Sequence, residues 1–310
     1  MKKITLVVLA LLGWAVTAAA QEAGSRATSN LMEAFTEHFD KASSSYFNYG
    51  SQSFMYYSGV PSLSEKETDV LVMRISPDGP AGAGRGPEIS TKKRTHFGTY
   101  SARIRVPDVK KVQPNVGSVV GYFTYRMDPA LGLSEIDFEW LIADPTIIYI
   151  GTWTGPSNAL QRVGRIIKLD TGRIYETIYK SPVDGNRNHP VTGIGNQPET
   201  IEGIADYDAS KRFYTYGFDW FPERLTWWIL HPETEEKVIL WDYQWNGESP
   251  FTGIPEAETN YLLNFWHTND WSVQTNPRSL EQPAYPYALE VDWMSYEPYD
   301  EINEAWSATR

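Results

Sequence analysis

An all-β fold, a sandwich of jelly-roll type, is what this sequence predicts, and three observations predict it. Apolar and polar residues alternate with period two along most of the chain. Turn signals such as Pro77-Asp78-Gly79-Pro80, Asp170-Thr171-Gly172 and Phe221-Pro222 separate the alternating runs. No long amphipathic helix, fixed-period repeat or heptad pattern interrupts them.

The elements follow in chain order. Lys2 and Lys3 precede an apolar run from Ile4 to Val16, and Ala18-Ala19-Ala20 before Gln21 has the A-x-A form of a cleavage site. This predicts a signal peptide over 1–20 and a secreted, extracellular protein; the apolar run is too short to span a bilayer. A single jelly-roll domain is predicted over 21–298. Within it, Asp78 to Gly86 is rich in Gly, Pro and Ala and reads as a loop. Tyr100 to Val106 alternates until Pro107 ends the run, and Val119–Tyr125, Glu135–Trp140 and Thr146–Trp153 read as the next strands. Gly155 to Tyr207 is long, polar and turn-rich, with Gly185-Asn186-Arg187-Asn188-His189-Pro190 at its middle, and is predicted to be an irregular insertion over about 155–207. Phe213–Asp219, Leu225–Ile229, Lys237–Trp241, Tyr261–Trp266 and Leu289–Tyr296 complete the strands. The acidic stretch after Glu297 lacks alternation, so 299–310 reads as a tail.

The formal net charge is −12, or −14 once Lys2 and Lys3 leave with the leader. A surface of that sign disfavours nucleic acid and anionic membrane as partners and leaves a neutral polymer unopposed. With no cysteine, a buried apolar core must carry stability, and a monomer is expected. Aromatics make up 14% of residues, with 12 Trp and 19 Tyr. Such a supply serves a large sandwich core and equally offers flat apolar faces to sugar rings. The histidines His38, His96, His189, His231 and His267 are scattered, so no His/Cys cluster marks a metal, and no cofactor is required for catalysis.

One run carries chemistry. In Glu135-Ile136-Asp137-Phe138-Glu139-Trp140, three carboxylates alternate with three large apolar side chains. On a strand, Glu135, Asp137 and Glu139 share one face while Ile136, Phe138 and Trp140 hold the other in a core. Solvated charges on an exposed face would give the same pattern. Against that, three adjacent carboxylates repel one another, a local conflict that often marks a functional site. At about 3.3 Å per residue the outer Cα atoms lie roughly 13 Å apart. Side chains leaning inward bring their carboxyls to about 5–6 Å, near the separation of nucleophile and acid/base in a retaining glycosidase.

The chain resembles glycoside hydrolase family 16, the family of lichenases, laminarinases and xyloglucan transglycosylases. Four blocks carry the resemblance in order: Phe97-Gly98-Thr99-Tyr100-Ser101-Ala102-Arg103-Ile104, Ser134 to Trp140, Tyr207 to Trp220, and Leu263-Asn264-Phe265-Trp266. Five residues from Glu135 to Glu139, rather than six, place the chain with lichenases and transglycosylases. The absence of cysteines and the Tyr207–Trp220 block favour the lichenase (endo-β-1,3-1,4-glucanase) branch.

The resemblance implies a curved, concanavalin A-like jelly roll with a substrate cleft on its concave face and a polysaccharide, a β-glucan, as substrate. It assigns Glu135 as nucleophile, Asp137 as helper and Glu139 as general acid/base. That division suits the chemistry, since neighbouring negative charge raises the pKa of Glu139 while Glu135 must ionise to attack. It also implies that Glu88, Phe123, Tyr125, Trp153, Asn264 and Trp266 hold sugar, with Tyr125 and Trp266 stacking on rings. Two departures stand out: Ser90 where lichenases usually carry Arg, and Gly151 where they carry Asn. Asp292, in Val291-Asp292-Trp293, matches a ligand of the structural Ca²⁺ that many relatives hold. His267 follows Trp266 and lies near the matched cleft residues. The leading expectation is a retaining endo-β-glucanase acting on mixed-linkage β-1,3-1,4-glucan. A cell-wall β-glucan or xyloglucan transglycosylase and an endo-β-1,3-glucanase use the same carboxylates; a non-catalytic glucan-binding lectin has no need of the trio.

Overall fold

The computed structural model describes residues 30–50, 55–65, 68–77, 85–180, 188–190, 200–244, 252–276 and 280–299. The predicted leader (1–20), all of the predicted tail except Tyr299, and much of the Asp78–Gly86 loop lie outside them. The strands are β1 (Phe35–Glu37), β2 (Phe47–Tyr49), β3 (Met55–Pro61), β4 (Asp69–Ile75), β5 (Glu88–Thr91), β6 (Gly98–Arg105), β7 (Ser118–Asp128), β8 (Gly132–Leu141) and β9 (Ile147–Gly155). They continue with β10 (Gln161–Lys168), β11 (Arg173–Lys180), β12 (Asn188–Pro190), β13 (Tyr214–Phe221), β14 (Arg224–Leu230), β15 (Lys237–Gln244), β16 (Asn260–His267) and β17 (Tyr287–Pro298). No α-helix forms among the described residues, and none is long and apolar enough to cross a membrane.

Two antiparallel sheets make the sandwich. One runs β15-β14-β13-β6-β17-β4-β3 with β1 added on β17; the other runs β12-β11-β10-β9-β8-β7-β16-β5-β2. The carboxylate strand β8 is therefore fifth of nine, with four strands on either side. The tight β7–β8 hairpin that aligns it turns at Gly132, whose φ of 85° suits a residue without Cβ. A Cβ there would also come within 2.3 Å of the Gly155 backbone.

Each strand predicted by alternation is present. The irregular reading of Gly155–Tyr207 is corrected: β10, β11 and β12 lie within it and extend the nine-stranded sheet. The signal was weak for a physical reason. β10 is buried on both faces, so it does not alternate, and an irregularity between Ile166 and Ile167 shifts the period against β11. Residues 181–187 and 191–199 of that segment lie outside the described residues.

The core lies between the sheets and is strongly aromatic. Ile136, Phe138 and Trp140 point into it and are fully buried. Phe138 and Trp140 stack at 5.9 Å, and Tyr216 of β13 meets both, edge-on to Trp140 at 4.7 Å. Trp140 Nε1 donates to Tyr207 Oη at 3.2 Å, and Tyr207 and Tyr216 share a hydroxyl hydrogen bond at 2.9 Å. From β14, Trp227 Nε1 donates to the Asp137 carbonyl at 3.1 Å. These donors satisfy polar tips that burial would otherwise penalise. The opposite sheet thus grips β8 from beneath. Phe138→Ala should lower stability by about 3–5 kcal/mol in urea unfolding, since the cavity lies under a rigid aromatic layer.

Candidate active site

Residues directly opposite in antiparallel strands share a face, so the register maps the surface around the carboxylates. Glu135 lies between Tyr125 of β7 and Trp153 of β9. Asp137 lies between Phe123 and Gly151, and Glu139 between Gly121 and Tyr149. Beyond β7, β16 places Asn264 opposite Gly121 and Trp266 opposite Val119, and β5 places Glu88 opposite Asn264. All nine residues expected at the site thus come together on one face. Phe123 forms buried floor, whereas Tyr125 is 41% exposed. Asn264 Oδ1 is buried and accepts no hydrogen bond, and it occupies space over Gly121 that a Cβ would contest at 2.6 Å.

The face is not open at both ends. Val119, Leu141, Ile147, Tyr149 and Ile166 form a second apolar cluster with Val273, and Trp266, Trp271 and Leu280 pack against it. Trp271 meets Tyr149 edge-on at 4.7 Å, and Tyr149 Oη donates to Gln274 Oε1 at 2.8 Å. The segment after β16 therefore walls the Glu139 end. At the Glu135 end, Tyr125 and Met127 remain exposed. Trp266 is part of the wall as well as a neighbour of the carboxylate face.

Three further residues were not legible from sequence. Arg162, opposite Trp153 on β10, sets its guanidinium 4.9 Å from the centre of the indole ring. Its discovery needs the β9–β10 pairing, which the irregular reading missed. Tyr149 and Trp271 needed the fold of the wall. Gly151 has a reason beyond the loss of a contact: a Cβ there would meet the Val163 carbonyl oxygen of β10 at 2.4 Å. His267 turns away from the carboxylates; it is buried, with Nε2 3.3 Å from the Glu281 carbonyl.

Asp292 is paired with a cation of the protein itself. It is the extra residue at an irregularity between Val291 and Trp293 of β17, and its carboxylate accepts from Arg103 at 2.6 Å. Arg103 also bridges to Glu65 at 3.1 Å, so one guanidinium is shared by two carboxylates. Among the described residues no group of three or more His, Cys, Asp or Glu side chains is arranged to hold a metal.

Burial dominates the electrostatics of the trio. It pushes Glu139 up to about 7, and burial with repulsion from Glu139 pushes Glu135 up to about 8. Asp137, flanked by both, rises well above the ordinary carboxylate range, by burial first and then by Glu135 and Glu139. Burial and both neighbours thus favour the protonated form of the middle carboxyl, to which the alternating pattern alone assigns a charge. Arg162 acts in the opposite direction on all three.

No family model matches the chain. A beta-glucanase of Paenibacillus macerans is 26% identical over 191 residues, covering 60% of this chain and 56% of that protein. A beta-glucanase of Bacillus amyloliquefaciens is 25% identical over 207 residues, covering 64% and 59%. The match thus spans little more than half the length of these relatives. Among solved structures, a β-1,3-1,4-glucanase (lichenase) from a mouse hindgut metagenome superposes with a TM-score of 0.52 at 19% identity, over 86% of this chain and 100% of that one. The Bacillus licheniformis beta-glucanase gives 0.51 at 18%, over 86% and 99%. Crh5 transglycosylase gives 0.52 at 17%, over 87% and 86%. The sequence relatives are named beta-glucanase, and the all-β sandwich is shared with the solved folds.

Asp137→Asn puts a neutral amide where burial and both neighbours favour a protonated carboxyl. If Asp137 is the member that keeps its proton, both limbs of the pH–rate profile should stay within about half a unit of their original positions. A fall of the alkaline limb by more than one unit would show that Asp137 is charged in the working site.

Proposed function

We propose that this chain is a secreted, retaining endo-β-glucanase that hydrolyses mixed-linkage β-1,3-1,4-glucan. The observation that carries the reading is the row of three carboxylates on one face of the central strand, framed by Tyr125, Trp153 and Asn264. Glu135 attacks the anomeric carbon as the glycosidic C–O bond breaks, and Glu139 gives its proton to the leaving oxygen. Water then attacks the glycosyl ester; Glu139 takes the water's proton, and Glu135 leaves as carboxylate. Neutralising Glu135 in the ester lowers the proton affinity around it, yet Glu139, buried, still takes a proton readily.

Asp137, raised by burial and by its two neighbours, offers Glu135 a hydroxyl donor when protonated, without adding a third charge. Tyr125 is exposed beside the nucleophile and presents a ring face to a sugar; Asn264 Oδ1 lacks a donor, which a glucosyl hydroxyl supplies. Glu88, next to Asn264, adds an acceptor on the same side. The relatives named beta-glucanase support glucan as the substrate class. Transfer to a sugar acceptor in place of water is the second reading, because Crh5 transglycosylase shares the fold to the same degree as the lichenases. Residues 1–20 serve as the export signal in this account.

Glu135→Gln should lower kcat on barley β-glucan by on the order of 10⁴-fold while the melting temperature changes little. With an activated glucoside, azide should restore turnover to Glu135→Ala and yield the α-glycosyl azide, and to Glu139→Ala with the β product. The reverse anomers would exchange the two roles. Product analysis with added oligosaccharide acceptor separates hydrolysis from transfer.

A further inference from the structure

Glu135 has to be a carboxylate to attack, yet burial and Glu139 both oppose its ionisation. The groups that face the trio from surrounding elements are Tyr125 on β7, Tyr149 on β9, and Glu88 on β5 beyond Asn264. Glu176 on β11 lies in the same row as Glu139, beyond Ile166. None of these is a cation. Arg126 points away from this face and is tied to Asp128 at 2.5 Å. Lys180 is the register partner of Arg162 on β11.

Arg162 is placed differently. It shares a cross-strand row with Glu135 and Trp153, two strands from the nucleophile, or about 10 Å between Cα atoms at the usual strand spacing. Its guanidinium rests over the Trp153 ring at 4.9 Å. Its Nε lies 3.4 Å from the point a Cβ on Gly164 would occupy. Gly164 belongs to the row of Asp137, through Gly151. The Arg162 stem therefore bends along β10 over a glycine, toward the middle of the trio, and the indole fixes where its charge sits.

We propose that Arg162 is a positioning residue of this active site: a cation clamped on Trp153 and laid over Gly164, supplying the positive charge against which Glu135, Asp137 and Glu139 share one face. This rests on the β-glucanase reading above. A guanidinium suits the task because it stays charged at every working pH and stacks on an indole while keeping its edge polar. A lysine keeps the charge but not the flat contact. Since burial raises all three carboxyls and Arg162 lowers all three, removing it leaves the trio harder to ionise.

The test compares the native chain with Arg162→Gln, Arg162→Met and Arg162→Lys. Arg162→Gln and Arg162→Met should move both limbs of the kcat/KM profile to higher pH, by about 0.5–1 unit, because the lost cation had favoured the charged forms. At pH 6 kcat should fall about tenfold with KM changed less than twofold, and Arg162→Lys should recover most of the loss. Limbs that stay fixed while KM rises would overturn the proposal and make Arg162 a sugar contact. A second readout needs no turnover: NMR titration of ¹³C-labelled glutamate side-chain carboxyls in native chain and Arg162→Gln. Glu135 should titrate at higher pH in the variant, and coincident curves would overturn the proposal. If the native chain hydrolyses no β-glucan, the functional reading fails, and this titration still decides the role of Arg162.

Discussion

The site depends on strand β8 being unable to slip. A shift of one residue would turn three carboxylates into the core and Ile136, Phe138 and Trp140 into solvent, so the register is fixed by the whole cost of that exchange. The aromatic layer enforces it. Phe138 and Trp140 stack on each other, Tyr216 closes on them from the facing sheet, and Trp227 reaches across the core to the Asp137 carbonyl. The hydrogen-bonded tips of Trp140, Tyr207 and Tyr216 make this contact directional as well as apolar. Repulsion among the carboxylates is therefore resisted by packing beneath them, and the unfavourable face is carried by a favourable one.

What lies around the trio is asymmetric. At the Glu139 end, Tyr149, Trp266, Trp271 and Val273 form a wall, and burial pushes Glu139 up to about 7. At the Glu135 end, Tyr125 is exposed and Arg162 lies in the same row. Burial and repulsion from Glu139 nonetheless hold Glu135 at about 8, above Glu139 at about 7, so exposure of the neighbouring Tyr125 does not by itself set the proton order. The two glutamates are the same residue type on the same strand, and their surroundings differ.

Much of this was legible in the sequence, because it rests on local pattern. Period two placed β6, β7, β8, β9, β13, β14, β15, β16 and β17, and the parity of β8 put Glu135, Asp137 and Glu139 together. The resemblance added Glu88, Asn264 and Trp266, which reach the same face only through pairing with β16 and β5. What escaped depends on long-range contact. Strand β10 is buried on both sides and hides its period, so Arg162 went unseen inside a segment read as irregular. The partner of Asp292, Arg103, lies some 190 positions earlier in the chain, which local pattern does not report. The upward shift of Asp137 follows from burial between two neighbours, which composition and spacing do not report.

The most direct measurement is to trap the covalent intermediate. A 2-deoxy-2-fluoro β-cellobioside with a dinitrophenolate leaving group should glycosylate the protein with release of one equivalent of phenolate, because the fluorine slows hydrolysis of the glycosyl ester more than its formation. Peptide mass spectrometry should then place the sugar on Glu135, within the strand Gly132–Leu141. A label on Glu139, or steady turnover of natural glucan with no carboxylate ever labelled, would contradict the account.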